Sequence, residues 1–187
     1  DCGIEGQGAL PDAASAATLE KRAAGSSTAL AGAVYTLSGT FADGSTQKTL
    51  TSGTAALALT GQLVAGGTYT LRETTPAPGY VQSALTASYA DAALTGGAMT
   101  LRLGNTGTLS YANTQGGWTT AADNALVLQD APNALTLAKQ DADGTPAAAT
   151  FTATGIFAGD TAASTKTLVN NAAQGALNAQ CIAGNSY

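Results

Sequence analysis

The 187-residue chain contains no histidine. That removes the usual general base at neutral pH and the commonest zinc ligand together. Its two cysteines, Cys2 and Cys181, lie near opposite ends, a spacing that makes neither a C-x-x-C redox pair nor a metal cluster. A Cys2–Cys181 disulfide, which an oxidising exterior would permit, and two isolated thiols both stay open. Charged residues are 10% of the chain and the net charge is −5, with no run of Lys or Arg; neither nucleic acid nor an anionic membrane is expected as a partner. No apolar run approaches the roughly 18 residues that would read as a membrane span. No signal-peptide pattern opens the chain and its first residue is Asp1, which fits a mature or excised fragment. Without His, a metal cluster or a phosphate-binding loop, an enzyme with turnover is not expected, and neither is a cofactor or a metal.

Ala, Thr and Gly dominate what remains. The 44% hydrophobic share is largely Ala and aromatics are only 5%, so thin cores built by β-packing of Leu, Val, Tyr and Phe are expected. Short alternating runs separated by Gly, Asp-Gly and Asn signals place strands at 34–38, 56–60, 68–73, 85–89, 99–103 and 126–130. This pattern predicts an all-β, Greek-key β-sandwich of Ig-like or prealbumin-like type. Trp118, in a Gly-rich stretch, reads as a partly covered loop anchor, with a ligand platform as the alternative.

The segment 13–24 is rich in helix formers, and Gly25 would suit the residue just past a helix end. An internal repeat argues otherwise. Thr18-Leu19-Glu20-Lys21-Arg22 returns as Thr136-Leu137-Ala138-Lys139-Gln140, and there it runs into the turn Asp141-Ala142-Asp143-Gly144. Gln62 to Tyr69 likewise returns as Gln180 to Tyr187, at the same offset of 118 positions. A strand at 17–22 is therefore expected. The chain divides into a linker or tail at 1–15, one β domain at 16–133, and the start of a second copy, incomplete, at 134–187. The second copy holds Lys139, but the counterparts of Glu73 and Asp130 would both fall past Tyr187; either the chain continues or another polypeptide supplies the missing strands.

Strand parity singles out three residues. Side chains alternate faces along a strand, so Tyr69, Leu71 and Glu73 share one face, Leu19 and Lys21 another, and Leu126, Leu128 and Asp130 a third. Each ionisable group lies on the Leu-bearing side of its strand. A charge carried into an apolar layer is costly unless paired or neutralised. Brought together, Lys21 as a neutral amine and Asp130 as a neutral acid could condense while Glu73 polarises the carbonyl and moves protons. Read from parity alone, an ordinary Lys21–Asp130 salt bridge or an exposed edge-strand lysine are the alternatives.

The string Y-x-L-x-E-x-x-x-P-x-G-Y at Tyr69–Tyr80 resembles the signature of Cna B-type (SpaA-like, prealbumin-like) domains of Gram-positive surface adhesins and pilins. The resemblance covers 16–133 and begins again after it. It implies an isopeptide bond between Lys21, in the x-L-x-K place, and Asp130, in the closing D-x-P, assisted by Glu73. Asn is the more usual acceptor in that family, and Asn133 is the reserve. The implied function is a structural stalk or fibre module, extracellular and attached to the cell surface or wall, whose only chemistry is a single self-cross-linking event. Its expected partners are neighbouring domains of the same or an adjacent chain and a host or cell-surface ligand. The rival readings are an adhesin module that holds a carbohydrate or host protein through loops around Trp118, and a split-domain fibre subunit completed by a neighbour's strands.

Overall fold

The computed structural model describes residues 16–170 and 175–187. In chain order the strands are β1 (Thr18–Ala23), β2 (Val34–Gly39), β3 (Gln47–Thr51), β4 (Leu57–Ala58), β5 (Thr68–Thr75), β6 (Tyr80–Val81), β7 (Leu94–Thr95), β8 (Ala98–Leu103), β9 (Leu109–Ala112), β10 (Trp118–Thr120) and β11 (Ala125–Pro132), followed by β12 (Ala134–Leu137), β13 (Ala149–Gly155), β14 (Ser164–Asn170) and β15 (Gly175–Asn178). The first eleven form two sheets. One has the order β4-β1-β11-β6; the other runs β10-β9-β8-β5-β2-β3, with β7 added on β8. They pack face to face as the expected all-β, prealbumin-like sandwich. No helix among the described residues is long and apolar enough to cross a membrane.

Alternation decides the core. Leu19 on β1 and Leu126 and Leu128 on β11 face Tyr35 and Leu37 on β2, Tyr69 and Leu71 on β5, and Met99 and Leu101 on β8, in one buried cluster. The residues between them, such as Thr68, Thr70 and Arg72, are exposed. The helix-prone segment becomes strand because β1 is paired on both edges, antiparallel to β4 and in parallel to β11 over its whole length. Helix propensity differs by only tenths of a kcal/mol per residue among such residues, and tertiary pairing overrides it.

One expected strand is absent. Residues 85–89 do not form a strand; a short 3₁₀ turn occupies Leu85–Ala87. Three hydroxyls from this loop do the work of a neighbouring strand. The outer edge of β11 presents alternate N–H groups, and Val127 donates to Tyr89 Oη at 2.9 Å, Gln129 to Ser88 Oγ at 2.9 Å and Ala131 to Ser83 Oγ at 3.2 Å. An edge whose donors are already satisfied offers little template for another chain. Trp118 lies on β10 rather than in a loop. Arg102 stacks on its ring, 4.5 Å from guanidinium carbon to centroid, so the ring is partly covered as expected.

The C-terminal strands rebuild part of this plan. β12 pairs with β15 (Thr136↔Ala176, Leu137↔Gly175) as β1 pairs with β4 (Thr18↔Ala58, Leu19↔Leu57). The β13–β14 hairpin repeats β2–β3. Even a side-chain hydrogen bond recurs: Tyr69 Oη accepts from the Val64 N–H at 2.7 Å, and Tyr187 Oη from the Ile182 N–H at 2.6 Å. Phe157, Leu168 and Leu177 are buried in a second, smaller cluster.

Asn133 joins the two parts. Its N–H donates to Gly79 O at 2.8 Å, and its own carbonyl accepts from Ala179 N–H at 2.7 Å. Its carboxamide donates to Tyr80 O at 3.2 Å and Cys181 O at 2.8 Å. Gly79 has φ +87°, and a Cβ there would run into the Ala179 carbonyl. Only glycine combines that backbone with so close an approach. Gly79→Ala is therefore expected to weaken the junction by about 1–3 kcal/mol, speeding hydrogen exchange at the Ala179 amide by roughly tenfold or more while leaving β1 and β11 amides protected. Unchanged exchange at Ala179 would show that the contact does not hold the two parts together.

Candidate functional site

Lys21, Glu73 and Asp130 meet in the middle of the sandwich. Lys21 Nζ lies 2.7 Å from Asp130 Oδ1 and 2.9 Å from Glu73 Oε1, with a hydrogen bond to Glu73 Oε2 at 3.1 Å. The three residues are 1%, 3% and 0% exposed, so no solvent screens them. Parity and register bring them there. β1 and β11 run parallel with Lys21 opposite Leu128 and Ala23 opposite Asp130; the long lysine side chain thus reaches two residues along to the carboxylate on its own face of the sheet. Glu73 arrives from the facing sheet.

The backbone around Glu73 is irregular. Register between β2 and β5 shifts between Val34 and Tyr35, so that Val34 lies opposite Thr75 but Tyr35 opposite Glu73. Such a bulge re-aims the side chains beside it. The Glu73 carbonyl accepts from Gln82 Nε2 at 2.8 Å. On the acceptor side, Asp130 Oδ1 also accepts the Ser83 N–H at 2.9 Å. Asp130 Oδ2 is buried without a hydrogen-bond partner among the described residues.

Tyr35 completes the chamber. Its ring lies 5.8 Å from Lys21 Nζ, near enough for the ring face to attract the ammonium, and its hydroxyl is buried without a hydrogen-bond partner. Burial pushes the Tyr35 hydroxyl well above its ordinary range, and the Glu73 and Asp130 carboxylates add to the push. Sequence reasoning missed Tyr35 and Ser83. The register of β2 on β5 was the signal for Tyr35, and nothing in the sequence marks Ser83, because it acts through its main chain.

The remaining expected positions lie elsewhere. Asn133, the reserve acceptor, points its carboxamide at Tyr80 and Cys181 instead of Lys21. Lys139 is exposed just past β12. Its counterpart Lys21 is buried by β5 and β11, which have no equivalents among the described C-terminal strands. Cys181 is half-buried; Cys2, the other half of the possible disulfide, lies outside the described residues. Among the described residues no cluster of three His, Cys, Asp or Glu side chains is placed to hold a metal.

Burial raises the Glu73 pKa to about 7; Lys21 works against that rise and Asp130 adds to it. The folded chain therefore binds more protons here than the unfolded chain between the ordinary carboxylate range and pH 7. This contribution to stability is full below pH about 4.5 and is lost as pH rises through about 7. An Asp130→Ala chain has no acceptor at that position, and it retains the dominant cause of the shift. Its unfolding free energy is expected to fall across that window, and the same fall should be absent from Asp130→Ala/Glu73→Gln. Parallel pH profiles for the two variants would exclude Glu73 as the source.

Comparison with known proteins places these features. Residues 15–89 match the family model for the SpaA prealbumin-like fold domain. A crystal structure of the pilus adhesin SpaC from Lactobacillus rhamnosus GG, in an open conformation, aligns with 65% of this chain and 15% of its own at 26% identity and TM-score 0.43. A C-terminal fragment of SpaC from the same organism, soaked in iodide, aligns over 65% of this chain and 46% of its own at 25% identity and TM-score 0.42. The chain thus spans less than half the length of either structure. No curated protein matches it. Over residues 15–89, which carry Lys21 and Glu73, the sandwich is similar to the SpaA prealbumin-like fold domain.

Proposed function

We propose that this chain is a structural module of a bacterial surface stalk or pilus-associated adhesin, built from tandem domains and locked by an intramolecular isopeptide bond between Lys21 and Asp130. The observation that carries this reading is the burial of one amine against two carboxylates at 2.7 and 2.9 Å. Contact distances of this kind replace a bimolecular encounter and can supply effective molarities on the order of 10⁵ M or more. Glu73 passes a proton from the Lys21 ammonium to Asp130, and the freed amine attacks Cγ of the resulting acid. Glu73 then takes a second proton from the attacking nitrogen and delivers it to the carboxyl hydroxyl, which leaves as water. The ammonium and the Asp130 carboxylate are consumed, one amide and one water are formed, and Glu73 ends as it began. The bond forms once and does not turn over.

A buried ionic trio is weak support for stability on its own, since the desolvation of the charges can exceed their attraction. A covalent amide between residues 21 and 130 acts differently. It closes a loop of roughly a hundred residues, and a long-loop cross-link contributes on the order of 4–5 kcal/mol. Tension applied along β1 and β11 would pass through the amide and leave the strands between them unloaded. This suits a cell-surface stalk whose partners are its neighbouring domains.

Intact mass tests the reading. The purified full chain is expected to be lighter than its sequence by one water, with Glu73→Ala and Lys21→Ala at full mass. The cross-linked chain should also outlast Glu73→Ala in denaturant by about 4–5 kcal/mol. A loss of ammonia in place of water would move the acceptor to an asparagine, and an unshifted wild-type mass would rule out the bond.

A further inference from the structure

The proposed condensation puts negative charge on one Asp130 oxygen as Cγ becomes tetrahedral, and that oxygen needs a donor that does not itself react. Lys21 cannot serve, because its nitrogen leaves Oδ1 to reach Cγ. Glu73, which moves the protons, is not free to donate to that oxygen throughout the step. Among the described residues one other donor is hydrogen-bonded to Asp130: the main-chain N–H of Ser83, 2.9 Å from Oδ1. We infer that the Ser83 N–H is the oxyanion donor of the self-cross-linking reaction, an assignment that rests on the isopeptide reading above.

Three features support it. The N–H breaks the symmetry of the carboxyl group, since Oδ1 accepts it and the equally buried Oδ2 has no partner. Oδ1 is thereby the oxygen retained as the amide carbonyl, and Oδ2 the one lost as water. The donor is also held in the frame of its acceptor. Ser83 Oγ accepts from the N–H of Ala131, the residue after Asp130, at 3.2 Å; Val81 pairs with that same Ala131 in the β6–β11 ladder; and Gln82 Nε2 fixes the preceding residue to the Glu73 carbonyl. Segment 81–83 therefore bridges the strand of the proton carrier and the strand of the acceptor, and little reorganisation is needed as charge develops. Finally, the site is buried, and a preorganised donor has far more effect there than at an exposed position.

The reacting atoms balance around this donor. The first Lys21 proton, carried by Glu73, rests on Oδ2. The neutral Lys21 amine adds to Cγ, and the C–O π pair moves onto Oδ1, which the Ser83 N–H stabilises. Glu73 then takes a second proton from the added nitrogen and gives it to the Oδ2 hydroxyl. The pair returns as the C–Oδ2 bond breaks, water leaves, and the Ser83 N–H ends donating to the new amide carbonyl.

Replacing residue 83 by the α-hydroxy analogue of serine turns the Gln82–Ser83 amide into an ester, which deletes the N–H and keeps the side chain. Ser83→Ala does the reverse. Each full-length chain is refolded from denaturant at several pH values and sampled for loss of water by intact mass. The ester chain is expected to condense about 10²- to 10³-fold more slowly than wild type, the range for loss of one oxyanion donor. Its rate should keep the wild-type pH profile, because Glu73 is untouched, and Ser83→Ala should stay within about tenfold of wild type. Equal rates for ester and wild type would overturn the assignment while leaving the isopeptide reading intact. Slowing of Ser83→Ala as severe as that of the ester would overturn it too, by showing that the Oγ clamp is what matters. A wild-type chain that never loses water would remove the isopeptide reading and this assignment together.

Discussion

The sandwich is arranged around one physical difficulty, an ammonium and two carboxylates enclosed in an apolar core. A single buried pair already costs several kcal/mol per ion in lost hydration. A trio with two acids and one base carries an excess negative charge as well. Burial, with the second carboxylate adding to it, pushes Glu73 up to about 7. The neighbouring elements answer to this arrangement. β5 bulges beside Glu73, Tyr35 presents a ring to the ammonium, and the loop after β6 supplies a main-chain N–H to Asp130. A core chosen for stability alone would place leucines at these three positions. A core that must bring an amine and an acid into contact without water would look like this one.

The loop from Gln82 to Tyr89 serves the fold and the proposed chemistry by the same contacts. Its hydroxyls take the outward N–H groups of Val127, Gln129 and Ala131, and these alternate with the inward side chains of Leu126, Leu128 and Asp130. Holding that edge fixes the depth and rotation of β11, and with it the direction in which the Asp130 carboxyl points. β1 fixes the other edge. Clamped on both sides, the acceptor strand has little freedom to move its carboxyl away from Lys21, and that restriction is what a high effective molarity requires.

Most of the fold and the three ionisable residues were legible in the sequence, and the reason is alternation. Leu19, Leu71 and Leu128 identify the buried face of their strands, and Lys21, Glu73 and Asp130 fall on it by counting in twos. The 118-residue offset between Lys21 and Lys139 carried the strand reading of β1 against its helix propensity. What was not legible depends on partners distant in sequence. Residues 85–89 alternate like a strand, but Ser88 and Tyr89 are used as hydrogen-bond acceptors for a strand about forty residues away. Ser83 acts through its backbone, which has no signature in the side-chain code. Trp118 looked like a loop residue because glycines precede it, whereas pairing with Ala112 makes it an edge strand. Asn133 looked like a spare acceptor beside the closing D-x-P, and only the register of β11 shows it past the site.

That last displacement links the site to the rest of the chain. Asp130 and Asn133 are three residues apart on one continuous strand exit. The first faces Lys21, and the second ties Gly79 and Tyr80 to Ala179 and Cys181. The turn that ends β5, whose Pro-x-Gly-Tyr pattern marks the family resemblance, is therefore the surface on which the next strands rest. Glu73 begins the same segment that Gly79 ends. With the proposed Lys21–Asp130 bond in place, a load carried by β11 out of the core would meet the junction within one turn of chain, before any flexible linker could absorb it. Rigidity in the core and rigidity at the joint then come from a single stretch, 73–83, packed against a single strand.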